Sequence, residues 1–202
     1  TGIFKGKALP LKTLCTIYPH YNQFVTLEGK GIKKVTDLKG KRVSTGAPGS
    51  GTEVIALRIL EAAEINHEKD IKKDRLGASE SAGALKDGKI DAYFWSGGLP
   101  TASVLDLAAS PGVKIVMLPL DDLVDKMNAK YGPIYYKTVI PKKTYTGLET
   151  NTPVSGVANL LMCHQDMDEQ LAYSVVKTIF EHMSDLAAIH ADGKNIHIKD
   201  NA

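Results

Sequence analysis

Residues 41–65, KRVSTGAPGSGTEVIALRILEAAEI, run from a short β-branched stretch through a Gly/Pro-rich turn into an apolar stripe at helical spacing. Val54, Leu57, Ile59, Leu60 and Ala63 share one helical face, which predicts a helix over residues 52–65. Residues 41–45 are then a strand and residues 46–51 the loop between them. Strand, loop and helix in that order form the unit from which α/β folds are assembled.

The same alternation continues in both directions. Upstream, residues 11–17 and 23–27 are apolar strand runs, separated by Tyr18-Pro19-His20, which predicts a bend. Residues 36–40 predict a short helical turn stopped by Gly40. Downstream, residues 79–86 predict a helix ending at Asp87-Gly88, and residues 90–95 a buried strand. Pro100, at a first-turn position, opens a helix over 101–109. A strand follows at 113–118, then a helix at 121–131 with acidic residues at its start. Residues 135–141 are extended, 144–153 turn-rich, and 154–162 form a strand long enough to pass between two lobes. Residues 168–189 predict the longest helix, with Leu171, Val175, Val176, Ile179, Phe180 and Met183 facing inward. A largely parallel sheet is expected. The polar tail, residues 191–202, is expected to be partly loose.

Composition narrows the function classes. Of 202 residues 43% are hydrophobic and 24% charged, which suits a folded globular chain, and the net charge is only +2. That charge is spread along the chain, without the basic stripe of a nucleic-acid binder. No apolar run reaches the roughly 18 residues that span a bilayer. The N-terminal residues 1–10 lack the apolar core of a signal peptide. Cys15 and Cys163 have no metal-ligand spacing and are expected to be two separate thiols in strands, with a single bridge between them, suited to an oxidising compartment, as the alternative. Among the histidines no His-x-x-x-His pair or Cys/His cluster occurs, so no metal is expected. No cofactor is expected either. Asp121, Asp122 and Asp125 are explained by the dipole of the helix they open.

The chemistry-bearing segment is residues 46–52. Glycines let backbone amides approach a ligand, and a helix start adds unpaired N–H donors with partial positive charge. Ala47, Gly49, Ser50, Gly51 and Thr52 can thus receive a carboxylate or phosphate, Ser50 and Thr52 adding hydroxyls. The residues alone leave a plain capped turn equally open. A P-loop is excluded because Thr52-Glu53 stands where Lys-Ser/Thr belongs. A dinucleotide fingerprint fails at Val54, and a nucleophile elbow fails because Pro48 precedes Ser50 where glycine is needed. A second cluster, Trp95, Ser96 and Gly97, also ends a strand before a helix, where open α/β sheets collect ligands. Trp95 alone is first of all a core residue.

Four segments then occur in order: LKGKRV (38–43) running into GAPGSGT (46–52); ALKDGKIDA (84–92) with YFWSGGLPT (93–101); YKTVIP (136–141) with Thr144-Tyr145; and residues 157–161 before the long helix. This ordered set resembles the TAXI family of TRAP transporter solute receptors, the extracytoplasmic immunogenic proteins. The resemblance covers most of the chain, and no segment is specific by itself. Family members are longer, so an N- and C-terminally truncated chain with an incomplete first lobe is expected.

The resemblance implies an α/β periplasmic-binding-protein type II-like fold with two lobes joined by crossover strands. It assigns residues 1–34 to a partial first lobe and outgoing crossover, 35–151 to the second lobe, and 152–202 to the return crossover and first-lobe C-terminal helix. It implies an extracytoplasmic (periplasmic) receptor that captures a small carboxylate, glutamate-like or a keto or dicarboxylic acid, by hinge closure. Its partners would be that ligand and the TRAP transporter membrane subunits, with no nucleic acid and no catalysis. The mapping also brings Tyr18 and His20 to the cleft, although His20 fits a surface loop equally well. Two other readings stand beside it. An enzyme on the same scaffold would rely on His20, for which no orienting carboxylate is evident in the sequence. A ligand-sensing effector domain would come with a helix-turn-helix, and none is apparent.

Overall fold

The computed structural model describes residues 8–197 and Lys199. Expectations for the N-terminal stretch and the tail therefore fall partly outside the described residues, at 1–7, 198 and 200–202. Chain contacts divide the protein into two compact units, Tyr21–Val157 and the pair Thr1–His20 with Ala158–Ala202.

The strands are β1 (Leu11–Leu27), β2 (Arg42–Ser44), β3 (Lys72–Asp74), β4 (Ala92–Gly97), β5 (Ile115–Met117), β6 (Tyr135–Ile140) and β7 (Thr152–His164). The α-helices are α1 (Gly51–Ala62), α2 (Ala78–Lys86), α3 (Ala102–Ala108), α4 (Val124–Tyr131), α5 (Glu169–Glu181) and α6 (Met183–Ile189). Sheet order is β3-β2-β4-β1-β7-β6, with β5 paired to β1.

The larger unit grows around the βαβ pattern seen in the sequence. β2 pairs in parallel with β3 and with β4, the connections running through α1 and α2. The expectation of a largely parallel sheet is corrected: β1 meets β4 and β5 antiparallel, and β6 meets β7 antiparallel. The sheet is mixed because β1 runs opposite to the β2–β4 direction. The core gathers on both faces of this sheet. Phe24 and Phe94, stacked 4.5 Å apart and opposite one another in register, pack with Leu38, Ile59, Leu60 and Leu85, all buried. Burying each such side chain contributes about 1.5–3 kcal/mol.

The predicted bend at Tyr18-Pro19-His20 is absent, since all three lie within one continuous strand, β1. Proline is tolerated there because the ladder to β4 begins only at Tyr21, so the missing N–H breaks no bond of that ladder. Pro100 precedes Thr101, the N-cap of α3, and so lies outside the helix instead of in its first turn.

In the smaller unit the predicted single helix is two. His182 ends α5 and begins α6 with φ −111° and ψ 26°, and its Nδ1 lies 2.9 Å from the carboxylate of Asp185. Phe180, Cys15 and Ile196 form the buried centre, with Val176, Ile179 and Met183 packed around it. Leu171, expected to face inward, is 53% exposed, because the apolar face only becomes covered further along α5. Cys15 and Cys163 are both buried and free.

Candidate functional site

The start of α1 is where the predicted anion loop sits, and its amides divide into used and unused. Ser50 is the N-cap, extended at φ −75° and ψ 158°, and its Oγ accepts from the Glu53 amide at 3.1 Å. Glu53 turns its carboxylate back, Oε2 accepting from the Gly49 amide at 2.8 Å. Arg75, just past the end of β3, clamps the same carboxylate, Nη2 donating to Oε2 at 3.0 Å. Arg75, assisted by the Gly49 amide, holds the Glu53 carboxyl below its ordinary range in spite of burial. Gly49, expected to serve a ligand, therefore spends its N–H inside the loop. Ser50 likewise spends its oxygen as acceptor and keeps only its own proton to give.

Gly51 and Thr52 are the first two residues of the helix, where the helical ladder offers N–H groups no acceptor. No side chain caps them among the described residues. Gly51 is exposed, as are Pro48 and Gly49, and Ala47 is half-buried, so the turn is open to solvent within this unit. Gly46 fixes its shape: its φ is +101°, and a Cβ there would lie 2.7 Å from the Thr52 side chain.

Thr52 is itself buried and links the loop to the end of β4, its Oγ1 accepting from the Ser96 amide at 3.3 Å. The Ser96 side chain, 8% exposed, has a hydroxyl with no partner. Directly across the β1–β4 ladder lies Asn22, whose Nδ2 donates to Ser155 Oγ at 2.9 Å while its Oδ1 is unpartnered. Buried polar atoms are nearly always bonded, so two orphaned oxygens on facing residues beside a helix start mark this as a polar site.

Strand periodicity splits the predicted Trp95, Ser96 and Gly97 group. Alternate residues share a face, so Trp95 and Gly97 lie opposite to Ser96. Trp95 Nε1 donates to Thr101 Oγ1 at 3.0 Å, and the indole lies so close over Gly97 that a Cβ there would be 2.7 Å from Nε1. Gln23 Nε2 also donates to Thr101 Oγ1, at 3.1 Å, and Tyr145 OH donates to Gln23 Oε1 at 2.8 Å while accepting from the Thr101 amide at 3.0 Å. This closed network leaves Trp95 and Gly97 a structural task on the far face.

Tyr18 and His20 belong to the smaller unit. Their rings are 5.5 Å apart and tilted by 44°, and both residues are half-buried. Burial pushes the His20 imidazole down, and nearby Asp192 pulls it up. Asp192 is thus the acidic neighbour that the sequence concealed. Among the described residues no group of three or more His, Cys, Asp and Glu side chains is arranged to hold a metal. Nor is any described helix long and apolar enough to cross a membrane. Asp125 of the acidic trio is ion-paired with Lys137 at 2.9 Å.

Sequence reasoning missed Asn22, Glu53, Arg75 and Ser155. Asn22 and Gln23 carried a signal, two adjacent amides in an otherwise apolar run that had to be buried with partners. Arg75 carried none, because its meeting with Glu53 depends on β3 lying beside β2.

Comparison with known proteins places these features in context. A family model described as "NMT1-like family" matches residues 1–202. Among solved structures, the putative L-cystine ABC transporter protein from Listeria monocytogenes is 18% identical with a TM-score of 0.48, covering 84% of this chain and 56% of that one. The probable amino-acid ABC transporter extracellular-binding protein from Bacillus subtilis is 17% identical with a TM-score of 0.46, covering 92% and 61%. The periplasmic aliphatic sulphonate binding protein from Escherichia coli is 21% identical with a TM-score of 0.44, covering 56% and 38%. The chain thus spans less than two thirds of the length of each. These likenesses concern the fold alone, and the chain itself is a mixed α/β fold.

Proposed function

This chain belongs to the NMT1-like family, matched over residues 1–202, and we propose that it acts as a solute receptor for a small carboxylate. The observation that carries this reading is the uncommitted Gly51 and Thr52 amides at the start of α1, beside the unpartnered hydroxyl of buried Ser96. In this reading the ligand carboxylate lies on the two amides, where the helix dipole favours negative charge, and Ser96 and the Ser50 hydroxyl proton complete its shell.

The rest of the proposal follows the receptor logic. The two compact units stand for two lobes, linked by β1 and β7, and ligand binding shifts the population towards a closed state. Tyr18 and His20 are proposed as further ligand contacts. The receptor would be extracytoplasmic, as the names of similar solved proteins suggest, and would pass its cargo to transporter membrane subunits. The four ordered segments favour the TAXI branch and a TRAP-type transporter over an ABC-type one, and a glutamate-like or keto or dicarboxylic acid as cargo. In this reading the chain is a receptor and not a catalyst.

Calorimetric titration of the purified chain with glutamate, 2-oxoglutarate, succinate and an alkanesulfonate tests this reading. Saturable binding of at least one carboxylate, weakened by Ser96→Ala, is expected. Preference for the sulfonate alone would move the cargo to another anion, and heat of dilution throughout would end the receptor claim.

A further inference from the structure

On the α1–α4 face of the larger unit, away from the loop at 46–52, lies a cleft of about 570 Å³ whose lining includes Leu57, Arg58, Glu61, Ile65, His67 and Tyr131. Arg58 follows Thr52 by six residues, about 9 Å along the helix axis. Its guanidinium carbon sits 4.2 Å over the Tyr131 ring, and Nη1 donates to Tyr135 OH at 2.8 Å. Ring stacking and one hydrogen bond hold the guanidinium in place and leave most of its five donors uncommitted.

The charges around it are matched without Arg58. Glu61 is held by Lys130 and by the Tyr131 hydroxyl. Glu68 is held by Lys73 and lies 3.0 Å from His67 Nδ1. Among the described residues neither Arg58 nor Lys69, both on the lining, has a carboxylate within ion-pair distance. Two lining cations without an ion-pair partner, one of them a half-buried planar fork fixed on an aromatic ring, suit the cleft to a carboxylate. Leu57 and Ile65 add an apolar wall that a bare inorganic anion would leave unused. The volume falls within the range of small-molecule sites.

The geometry points to a second ligand site: a small carboxylate with an apolar or aromatic body binds here, its carboxylate on Arg58 and its body against Leu57 and Ile65. The site goes beyond the receptor reading and does not depend on it, since none of its residues belongs to the 46–52 loop.

Amide and guanidinium nitrogen NMR of the whole chain, titrated with benzoate, tests the site. Saturable shifts are expected at the Arg58 Nε–H and at the backbone amides of residues 65–69. Arg58→Met, which keeps the apolar stem, is expected to weaken binding at least ten-fold, and Arg58→Lys to fall between the two. Well-dispersed spectra of both variants establish that they fold. Undiminished benzoate binding in Arg58→Met, shifts confined to Gly51 and Thr52, the absence of saturation, or inorganic phosphate binding as tightly as benzoate would each overturn the assignment.

Discussion

Asn22 and Ser96 face each other across the β1–β4 ladder, both buried, and each leaves one oxygen without a hydrogen-bond partner. An unmet buried polar atom costs about 1–3 kcal/mol unless water or a ligand reaches it. Their neighbour Thr52 connects this pair to the start of α1 through the Ser96 amide. The pair is therefore the natural place to separate a functional role from a structural one.

Ser96→Ala makes that separation. Removing a hydroxyl that bonds nothing leaves urea stability unchanged or raises it, by up to about 1 kcal/mol. For the carboxylate that binds best, affinity falls about ten-fold, the equivalent of one hydrogen bond. Reduced stability with unchanged affinity would show that the hydroxyl serves packing alone.

Asp91 should dominate the acid limb of stability. Its carboxylate accepts from Arg42 Nη2 at 2.7 Å and from the Arg42 amide at 3.0 Å, and Lys30 approaches to 3.4 Å. The Arg42 guanidinium, ahead of the other contacts, holds its carboxyl well below the usual carboxylate range. Because the folded value lies below the unfolded one, the stabilisation is complete above about pH 4 and is lost as pH falls further. Asp91→Asn is expected to cost about 1 kcal/mol at pH 7, a modest figure because water screens the exposed part of the pair. Below pH 4 the variant's stability curve should be flatter than that of the parent chain in acid titrations followed by circular dichroism.

Tyr145→Phe probes the opposite face. The hydroxyl donates to buried Gln23 and accepts from the amide of half-buried Thr101, so its loss leaves both without this partner. A cost of about 1–3 kcal/mol is expected. Trp95 shares Thr101 with this network, so its fluorescence should shift in the folded variant. An unchanged emission spectrum would mean that the network does not position the indole.

How much of this was legible in the sequence follows from the range of each interaction. Residues 41–65 show their strand, turn and helix because spacing and glycine act locally, whereas Ser50 and Thr52 are equal in sequence as caps and only the structure gives the cap to Ser50. Tyr18-Pro19-His20 carries a bend signal in sequence, but Pro19 precedes the β4 ladder and so costs it no bond, which only the pairing shows. Trp95, Ser96 and Gly97 are adjacent in sequence, while a strand alternates its faces. Arg75 and Ser155 stayed hidden because their partners, Glu53 and Asn22, are 22 and 133 residues away.

Gly46 and Gly49 allow a final prediction, since two glycines in one loop have different reasons to be glycine. Both have positive φ, +101° and +74°, so alanine strains either backbone. At Gly49 a Cβ meets nothing within 4 Å, so Gly49→Ala carries the conformational penalty alone, about 1 kcal/mol. At Gly46 the added carbon would lie 2.7 Å from Thr52 Cγ2 and 3.0 Å from the Glu53 amide. Relieving that clash means moving the first turn of α1, so Gly46→Ala should cost about 3 kcal/mol, with strain and overpacking adding. The same movement displaces the Gly51 and Thr52 amides, and carboxylate affinity should fall in Gly46→Ala while Gly49→Ala, whose N–H already serves Glu53, stays near the parent value. Urea denaturation and calorimetry on the two variants check both halves. Equal losses of affinity would mean that the helix start is not where the ligand's charge is held.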